Sequence, residues 1–316
     1  MPVISVGNMD VGGAGKSPMT EYLVRLLKDH YKLATLSRGY GRKTKGFLTV
    51  TTDSTAEQVG DEPLQFKHKF PDITVVVCEK RVDGLKELTT HNVVLMDDAY
   101  QHRAVKPGLS ILLFDYNRTN EPHLLLPAGN LREPFSGRWR ADIIVISKCP
   151  EQLSNDVQNQ IIQRVDPLPY QSLFFTSIVY LPLQDLFGKR SATLLDNNTT
   201  VFLLTGIANP KPLVQHIREQ GSKLVHHNYP DHHRFSLKNI SKLADEFAAC
   251  TAQKKVIITT EKDAQRLVEH ELLPLVQSLP VLVIPIGVQF KNNEAPQFDQ
   301  LVIQYVREHT TNHLIH

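Results

Sequence analysis

Short apolar stretches alternate with amphipathic stretches along the first half of the chain. Six runs rich in β-branched residues are followed by loops and then by patterns of helical period: "PVISVG", "KLATLS", "ITVVVC", "NVVLMD", "LSILLFD" and "ADIIVIS". Uniformly apolar strands separated by helices are typical of a parallel sheet covered on both faces. The first half is therefore predicted to be an α/β domain.

The second half shows a weaker version of the same alternation. A polar helical segment, "SNDVQNQIIQRV", leads into "DPLPYQS", where two prolines indicate a connection. Further strands are predicted in "TVFLLTGIANP", "KKVIITTEKDA" and "VLVIPIGV", and the first two lead into helices. We predict a first domain over residues 1–165, a hinge or linker over 166–182, and a smaller α/β domain over 183–316.

Composition narrows the class of protein without naming a partner. The 316 residues are 41% apolar and 22% charged, with a net charge of only +2, so bulk electrostatics give no reason to expect nucleic acid. Three cysteines without CxxC spacing indicate neither a disulfide framework nor a cysteine zinc site, which fits a reducing cytoplasm. The apolar runs are far shorter than the roughly 18 residues of a membrane span. Nothing in the sequence indicates an obligate protein partner.

A glycine-rich stretch between the first strand and the first helix indicates a phosphate site. Bare backbone N–H groups at a helix N-terminus bind phosphate oxygens, a lysine reaches the β- and γ-phosphates, and a serine hydroxyl suits Mg²⁺. Asp10 stands where the strict P-loop motif has its first glycine. The residues predicted to bind the nucleotide are Asp10, Val11, Gly12, Gly13, Ala14, Gly15, Lys16 and Ser17.

A second anchor for magnesium follows another predicted strand. "NVVLMDD" ends in Asp97 and Asp98, the layout of a carboxylate that holds Mg²⁺ beside a P-loop. Strands of one parallel sheet bring such ends to the same edge. The sequence therefore predicts a nucleoside triphosphate site with a bound divalent ion.

Several further stretches, in this order, make the chain resemble the tetraacyldisaccharide 4'-kinase family, the lipid A 4'-kinases of Gram-negative bacteria. They are "LSRGYGRKTKG", "GDEP", "DDAYQHR", "LPAGNLREP", "LTGIANP", "DHHRF" and "TTEKDA". The resemblance covers nearly the whole chain and implies a P-loop kinase domain hinged to a smaller α/β domain. It also implies ATP-dependent phosphorylation of a lipid disaccharide at the cytoplasmic face of the inner membrane, to give lipid IV(A).

The chemistry of phosphoryl transfer predicts roles for individual residues. Lys16 and Asp98 are expected to serve catalysis at the phosphates. Arg132 is expected to bind phosphate oxygens because its planar guanidinium suits them, and the alternative is an ordinary surface arginine. The resemblance implies that Asp61 and His232 assist removal of the proton from the sugar hydroxyl, with His233 as an alternative to His232. Because we predict Asp61 and His232 in different domains, we expect domain closure to pair them. Magnesium is expected to be surrounded by Ser17, Asp97, Asp98 and Glu133.

Two departures from the family are visible. The family usually has "DDGFQH", where this chain has Ala99 and Tyr100. Members also typically carry an apolar N-terminal segment that lies in the membrane surface, whereas Met1 here directly precedes the first predicted strand. We expect either that the start of the sequence has been truncated or assigned too late, or that membrane attachment comes from elsewhere in the protein.

Other interpretations of these patterns stay open. The histidines of "HHNYPDHH" are typical of a solvated loop and, less often, of a zinc site. Arg38, Arg42, Lys43 and Lys45 form either a solvated basic loop or a patch for an acidic head group, nucleotide or anionic lipid. The competing functions are a regulatory P-loop NTPase of the GTPase or metallochaperone type and a scaffold with a decayed P-loop. The first lacks a guanine-recognition motif, since "ISKCP" has no aspartate at the required place.

Overall fold

The protein folds into two compact units in the computed structural model, which describes residues 1–268 and 271–311. The first unit comprises residues 1–51 and 70–179 and the described residues from 286 onward. The second unit comprises residues 52–69 and 180–285, apart from the two residues that lie outside the described ranges.

The strands, in chain order, are β1 (Val3–Asn8), β2 (Leu33–Ser37), β3 (Leu48–Thr49), β4 (Thr74–Val77), β5 (Val93–Asp97), β6 (Leu109–Asp115), β7 (Ile143–Ser147), β8 (Ser172–Tyr180), β9 (Thr199–Thr205), β10 (Lys223–Asn228), β11 (Lys254–Thr260), β12 (Val281–Ile284) and β13 (Ile286–Phe290). The helices are α1 (Lys16–Leu27), α2 (Ala56–Val59), α3 (Asp61–Lys69), α4 (Arg81–Lys86), α5 (Asn155–Val165), α6 (Lys211–Glu219), α7 (Leu237–Ala249), α8 (Glu261–Leu267), α9 (Leu273–Gln277) and α10 (Ala295–Thr311). Two 3₁₀ turns cover Tyr116–Arg118 and Phe135–Arg140.

The first unit is organised around one large, mostly parallel sheet in the order β13-β8-β7-β6-β1-β5-β2-β4-β3. β1 lies between β5 and β6 and is parallel to both, with Val6 in register with Asp97 of β5. The carboxyl ends of these three strands therefore meet at one edge of the sheet. Ile4 and Val6 are fully buried, which explains the uniformly apolar strand.

The second unit has its own parallel sheet in the order β10-β9-β11-β12. From β9, the chain passes through α6 to β10 on one side, and β11 pairs with β9 on the other. Connections that leave neighbouring strands in opposite directions open a crevice beyond the carboxyl ends of those strands. Because β9 and β11 are parallel neighbours, the residues that follow them lie at the same edge of this sheet, where the rule places the crevice.

The six strands predicted in the first half are present, and the α/β class of both halves is confirmed. Three details differ. The predicted hinge over 166–182 contains β8, whose apolar residues pair with β7. The run "VLVIPIGV" is two strands in two different sheets, separated at Pro285, because proline has no N–H for a ladder. β10 escaped prediction because this edge strand carries lysine and two histidines.

The division of the chain also differs from the predicted boundaries. Residues 52–69, predicted with the first domain, belong to the second unit, and the described residues from 286 onward belong to the first. In the second unit α3 packs against α8, and in the first unit α1 packs against β13. These long-range contacts leave no local trace in the sequence.

Candidate active site

The glycine-rich stretch forms a tight turn from β1 into α1. Gly15 caps α1 with a left-handed backbone, φ 81° and ψ 23°, a conformation that glycine adopts without strain. At Gly13, by contrast, an added Cβ would meet no atom of the described residues within 4 Å. Packing among the described residues therefore does not require glycine at position 13.

Lys16 begins α1 and directs its ammonium group back over the turn. Its Nζ lies 3.0 Å from Asn8 Oδ1 and 3.5 Å from Asp98 Oδ1. The ammonium group is thus held between the end of β1 and the end of β5, where the sequence predicts a triphosphate.

Arg132 fixes the same corner from the "LREP" loop. Its Nε donates to the carbonyl of Asp10 at 3.0 Å, and its Nη2 donates to Asn8 Oδ1 at 2.8 Å. Nη1 lies 3.6 Å from Asp98 Oδ1. The structure therefore brings Arg132 to the loop, and two positive groups face one carboxylate there.

The two adjacent aspartates have different surroundings. Asp97 is buried at the end of β5, and its Oδ1 accepts a hydrogen bond from Thr20 Oγ1 at 2.9 Å. Asp98 has a left-handed backbone, φ 47°, which is strained for a residue with a side chain. In the described part of the chain, Asp98 Oδ1 is shielded from solvent yet accepts no hydrogen bond. Lys16 and Arg132 face this oxygen at 3.5 and 3.6 Å without a hydrogen bond, so its lone pairs remain available to a hard divalent cation such as Mg²⁺.

Glu133, expected around the metal, is engaged elsewhere. Its two carboxylate oxygens accept hydrogen bonds from Arg140 Nη2 at 3.0 and 2.8 Å, and Oε1 also accepts one from Gln101 Nε2 at 3.0 Å. The structure therefore places Glu133 in an ion pair. Among the described residues, no group of three or more His, Cys, Asp or Glu side chains could hold a metal ion by itself.

Asp10, which replaces the first glycine of the motif, is buried beside Leu131. Burial raises the pKa of its carboxyl, although the positive charges of Arg118 and Arg132 oppose the shift. The departure from the strict motif thus places a side chain among arginines without blocking the glycines that follow.

A second polar cluster lies at the crevice of the second unit. Asp61 begins α3, and its Oδ2 accepts hydrogen bonds from the buried Arg266 of α8 and from His232, whose Nδ1 is 3.2 Å away. Lys262 Nζ lies 3.0 Å from His232 Nε2. Because Asp61 and His232 belong to the same unit, their pairing does not require domain closure, contrary to the expectation from the sequence.

The cluster fixes the ionisation of Asp61. Burial alone would raise the pKa of Asp61, but the hydrogen bond and charge of Arg266, with His232 and Lys262, bring that pKa below its ordinary value. The ring of His232 is held at both nitrogens, since Nδ1 also lies 3.3 Å from Arg266 Nη2 and Nε2 faces Lys262. Both contacts to Asp61 fall on Oδ2, which leaves Oδ1 to accept another hydrogen bond.

Buried residues of the same unit hold Arg266 in its position beside Asp61. Asp263 is fully buried, and its Oδ2 accepts hydrogen bonds from the amide of Gly206 at 3.0 Å and from Thr260 Oγ1 at 2.8 Å. Its Oδ1 lies 3.2 Å from Arg266 Nη1. The "LTGIANP" and "TTEKDA" stretches thus meet at the ends of β9 and β11 to orient Arg266 toward Asp61.

The neighbouring histidines take other partners. His233 stacks on Tyr229 with ring centroids 4.5 Å apart, and its Nε2 lies 3.1 Å from Asn239 Oδ1. His226 contacts Thr205 Oγ1 at 2.8 Å, and His227 contacts Glu246 at 3.2 Å. The structure therefore selects His232 over His233 as the partner of Asp61.

In the basic loop of the first unit, the stretch around residues 38–45, the Arg42 side chain bonds within the unit. Arg42 Nη2 donates to the carbonyl of Gly46 at 2.7 Å and lies 2.9 Å from Glu79. Arg38, Lys43 and Lys45 are exposed. In the described ranges of the chain, no helix combines the length and the apolar character needed to cross a bilayer.

Some site residues were not predicted from the sequence. Asn8 ends a strand that looks wholly apolar, and Arg266 lies two residues beyond the last motif. The signal for Arg266 was its spacing of three from Asp263 on a predicted helix, which places the two on one face. No local signal identified Asn8.

Comparisons with known proteins agree on one family. The family described as Tetraacyldisaccharide-1-P 4'-kinase matches residues 1–307. A tetraacyldisaccharide 4'-kinase of Bacteroides thetaiotaomicron is 41% identical over 327 residues, covering 99% of this chain and 86% of the relative. One of Flavobacterium psychrophilum is 42% identical over 322 residues, covering 99% of this chain and 89% of the relative.

A solved structure matches as well. It is the crystal structure of LpxK from Aquifex aeolicus in complex with ATP, with a TM-score of 0.73 and 28% sequence identity. The match covers 97% of this chain and 89% of that one.

Proposed function

Because the chain belongs to the tetraacyldisaccharide-1-P 4'-kinase family, we propose that it transfers the terminal phosphoryl group of ATP to the 4'-hydroxyl of a tetraacylated glucosamine disaccharide 1-phosphate. The product is lipid IV(A), and the reaction is a step of lipid A biosynthesis. The single observation that carries the proposal is the corner where Lys16, Arg132 and Asp98 meet beside the glycine-rich turn.

The turn and its basic residues bind the triphosphate. Amide groups at the start of α1, aided by the positive end of the helix, face the phosphate oxygens. Lys16 and Arg132 supply charge that the transferring group needs, and the planar guanidinium of Arg132 matches two phosphate oxygens at once. Both side chains are already anchored on Asn8 Oδ1, so little reorganisation is required.

Mg²⁺ fits the carboxylate end of the same corner. We assign it to Asp98, whose Oδ1 has no hydrogen-bond donor in the described residues, and to Ser17. When bound, the ion neutralises charge on the phosphates. Asp97 orients the site through Thr20, and Glu133 remains with Arg140.

The acceptor hydroxyl gives up its proton to Asp61. This carboxylate is ionised at neutral pH, because its pKa is lowered by Arg266, and Oδ1 is available to the hydroxyl. His232 holds Asp61 in place through the contact of its Nδ1 with Oδ2. Phosphoryl transfer has a loose transition state, so a weak base that positions the hydroxyl is sufficient.

Peripheral contact with the inner membrane is part of the proposal. Leu124, Leu125 and Leu126 are consecutive and 49%, 43% and 50% exposed. They begin a loop over residues 124–131, the leucine loop, which closes through a parallel bridge: the amide of Leu126 donates to the carbonyl of Leu131, and the amide of Leu131 donates to the carbonyl of Leu124. The end of the leucine loop bonds to the phosphate turn, since the amide of Val11 donates to the carbonyl of Asn130. Exposed leucines there suit contact with acyl chains at the bilayer surface.

The test is incubation with γ-labelled ATP and the tetraacylated disaccharide 1-phosphate in mixed micelles. We expect label in the lipid fraction only when the acceptor is present, and loss of that label in Lys16→Met. A regulatory NTPase would instead release labelled phosphate at the same rate with or without acceptor, and that outcome would overturn the proposal.

A further inference from the structure

Four carbonyl groups of the glycine-rich turn, those of Asp10, Val11, Gly13 and Ala14, are held by side chains from outside the turn. The carbonyl of Val11 accepts from Arg118 Nη1 at 2.5 Å, that of Gly13 from Lys148 Nζ, and that of Ala14 from Ser147 Oγ at 2.7 Å. The backbone carbonyl of Asp10 accepts hydrogen bonds from Asn8 Nδ2 at 2.8 Å and from Arg132 Nε at 3.0 Å. Arg118 follows β6, Ser147 ends β7 and Lys148 follows β7, and these two strands lie next to β1 on one side of the sheet.

This arrangement sets the direction of the amides. In a planar trans peptide, the C=O of one residue and the N–H of the next point in opposite directions. A carbonyl of Gly13 held by Lys148 therefore aims the N–H of Ala14 away from Lys148. The carbonyl of Ala14, held by Ser147, does the same for the N–H of Gly15.

Lys148 is placed for this contact by a strained backbone. It follows β7 directly and has φ 59°, a left-handed conformation that costs an ordinary residue about 1–2 kcal/mol. The chain on either side is fixed, since Ser147 Oγ also donates to the carbonyl of Phe114 at 3.1 Å and the amide of Cys149 donates to Thr176 at 2.9 Å. Strain that the surrounding structure maintains in this way marks a functional position more often than a random one.

One buried carboxylate connects the donors. Asp115 ends β6, in register with Ser147, and its Oδ2 is 2.7 Å from Lys148 Nζ. Its Oδ1 accepts from the amide and the side chain of Asn117, both at 3.0 Å, at the start of the 3₁₀ turn that carries Arg118. Asp115 thus orients both Lys148 and the turn from which Arg118 reaches Val11.

We propose that Lys148, with Ser147 beside it, is a positioning residue for the triphosphate: it holds the Gly13 and Ala14 carbonyls outward so that the following amides face the phosphate oxygens. This rests on the proposed nucleotide site and extends it. Ser147 and Lys148 belong to the stretch "ISKCP", which lacks the aspartate of a guanine-recognition motif. In this proposal they act on the phosphates of the nucleotide, whatever its base.

The test compares Lys148→Met and Ser147→Ala with wild type and with Lys86→Met. Lys86 is a 70% exposed lysine of the same unit, paired among the described residues with Asp83 at the surface, and it serves as the control for loss of one charge. For each variant, the Kd of Mg-ATP and of Mg-tripolyphosphate is measured by calorimetry, together with KM, kcat and the thermal midpoint.

We expect Lys148→Met to weaken binding of both ligands at least about tenfold, and Ser147→Ala about threefold, because each removes a hydrogen bond that orients a ligand-facing amide. KM for ATP should rise by a similar factor, with a smaller change in kcat. Lys86→Met should bind both ligands as wild type does. Because tripolyphosphate carries no base, equal losses for both ligands assign the effect to the phosphates.

Two results would overturn the inference. If both variants bind Mg-ATP with the wild-type Kd, the outer hydrogen bonds do not position the turn, while the proposed function stands. If Lys148→Met loses only thermal stability and Ser147→Ala retains full affinity, these residues are structural. Failure of the wild type itself to bind Mg-ATP would instead contradict the proposed function, and the inference with it.

Discussion

Asp61 and His232 are 171 positions apart in the sequence, yet Asp61 Oδ2 and His232 Nδ1 lie 3.2 Å apart within one unit of the protein. Arg266 contacts both side chains, through Asp61 Oδ2 and through His232 Nδ1 at 3.3 Å. The pair is therefore a preformed arrangement in which the carboxylate is charged and the imidazole is oriented.

Removal of the charge on Asp61 should impair chemistry more than nucleotide binding. In Asp61→Asn we expect kcat to fall roughly 10²–10⁴-fold, the range of a lost general base, with KM for ATP within about twofold of wild type. Steady-state kinetics with saturating lipid acceptor measure both values.

His232→Ala should give a smaller loss of kcat than Asp61→Asn, because the imidazole acts on the carboxylate rather than on the hydroxyl. His233→Ala is the matched control, since its ring contacts Tyr229 and Asn239 instead. Asp61→Asn with wild-type kcat would remove Asp61 from proton transfer.

The same ion pair makes stability depend on pH. The pKa of Asp61 in the folded protein lies below its ordinary value of 3.8, so the carboxylate stabilises the fold above that value. This contribution is lost as the pH falls through the lower, folded-state pKa.

Asp61→Asn should therefore lower the free energy of unfolding at neutral pH by about 1–3 kcal/mol, since the buried Arg266 loses a charged partner and keeps Asp263. Denaturant titrations at pH 7 and at about pH 3 test this. An equal difference at both pH values would contradict the assigned ion pair.

Asp98 should control the magnesium requirement. Asp98→Asn keeps the size of the side chain and removes the charge that faces the ion, so we expect the Mg²⁺ concentration for half-maximal activity to rise at least about tenfold. Asp83→Asn, on the exposed surface of α4, is the control for loss of one carboxylate. Magnesium titrations at fixed ATP give the result, and an unchanged midpoint in Asp98→Asn would place the ion elsewhere.

Substitution of Gly13 should weaken ATP binding alone, whereas substitution of Gly15 should also lower the stability of the protein. In Gly13→Ala the new methyl group meets open space, so we expect a thermal midpoint close to wild type but at least about tenfold weaker binding of ATP. In Gly15→Ala the left-handed φ of 81° becomes strained, which should cost about 1 kcal/mol of stability as well. Calorimetry and thermal unfolding measure the two effects, and full ATP affinity in Gly13→Ala would argue against phosphate binding at the turn.

Exposed leucines should govern membrane contact. Leu125→Glu is expected to reduce the fraction of protein that sediments with anionic vesicles by half or more, because a charge at the acyl boundary opposes insertion. Leu194→Glu, a change at a 77% exposed leucine of the second unit, is the control. Equal sedimentation of wild type and Leu125→Glu would exclude the leucine loop as the membrane surface.

The sequence predicted the parts of this site that have local signatures. The glycines, Lys16 and the aspartates after β5 follow strands whose ends meet in any parallel sheet, so their proximity could be inferred. The pairing of Asp61 with His232 came from family resemblance, and its placement within one unit could not be foreseen, because α3 joins the second unit through packing against α8. Ser147, Lys148 and Arg118 also escaped prediction, since side chains that bond to carbonyls of a distant loop follow no sequence spacing.

Identification of the phosphorylated oxygen tests the central claim most directly. The lipid product of a reaction with ATP and the tetraacylated disaccharide 1-phosphate is analysed by phosphorus–proton correlation NMR. We predict a second phosphorus resonance coupled to the proton at the 4' carbon of the distal sugar, present with wild type and absent with Lys16→Met. A product with the new phosphate on any other oxygen, or free phosphate with unmodified lipid, would contradict the account.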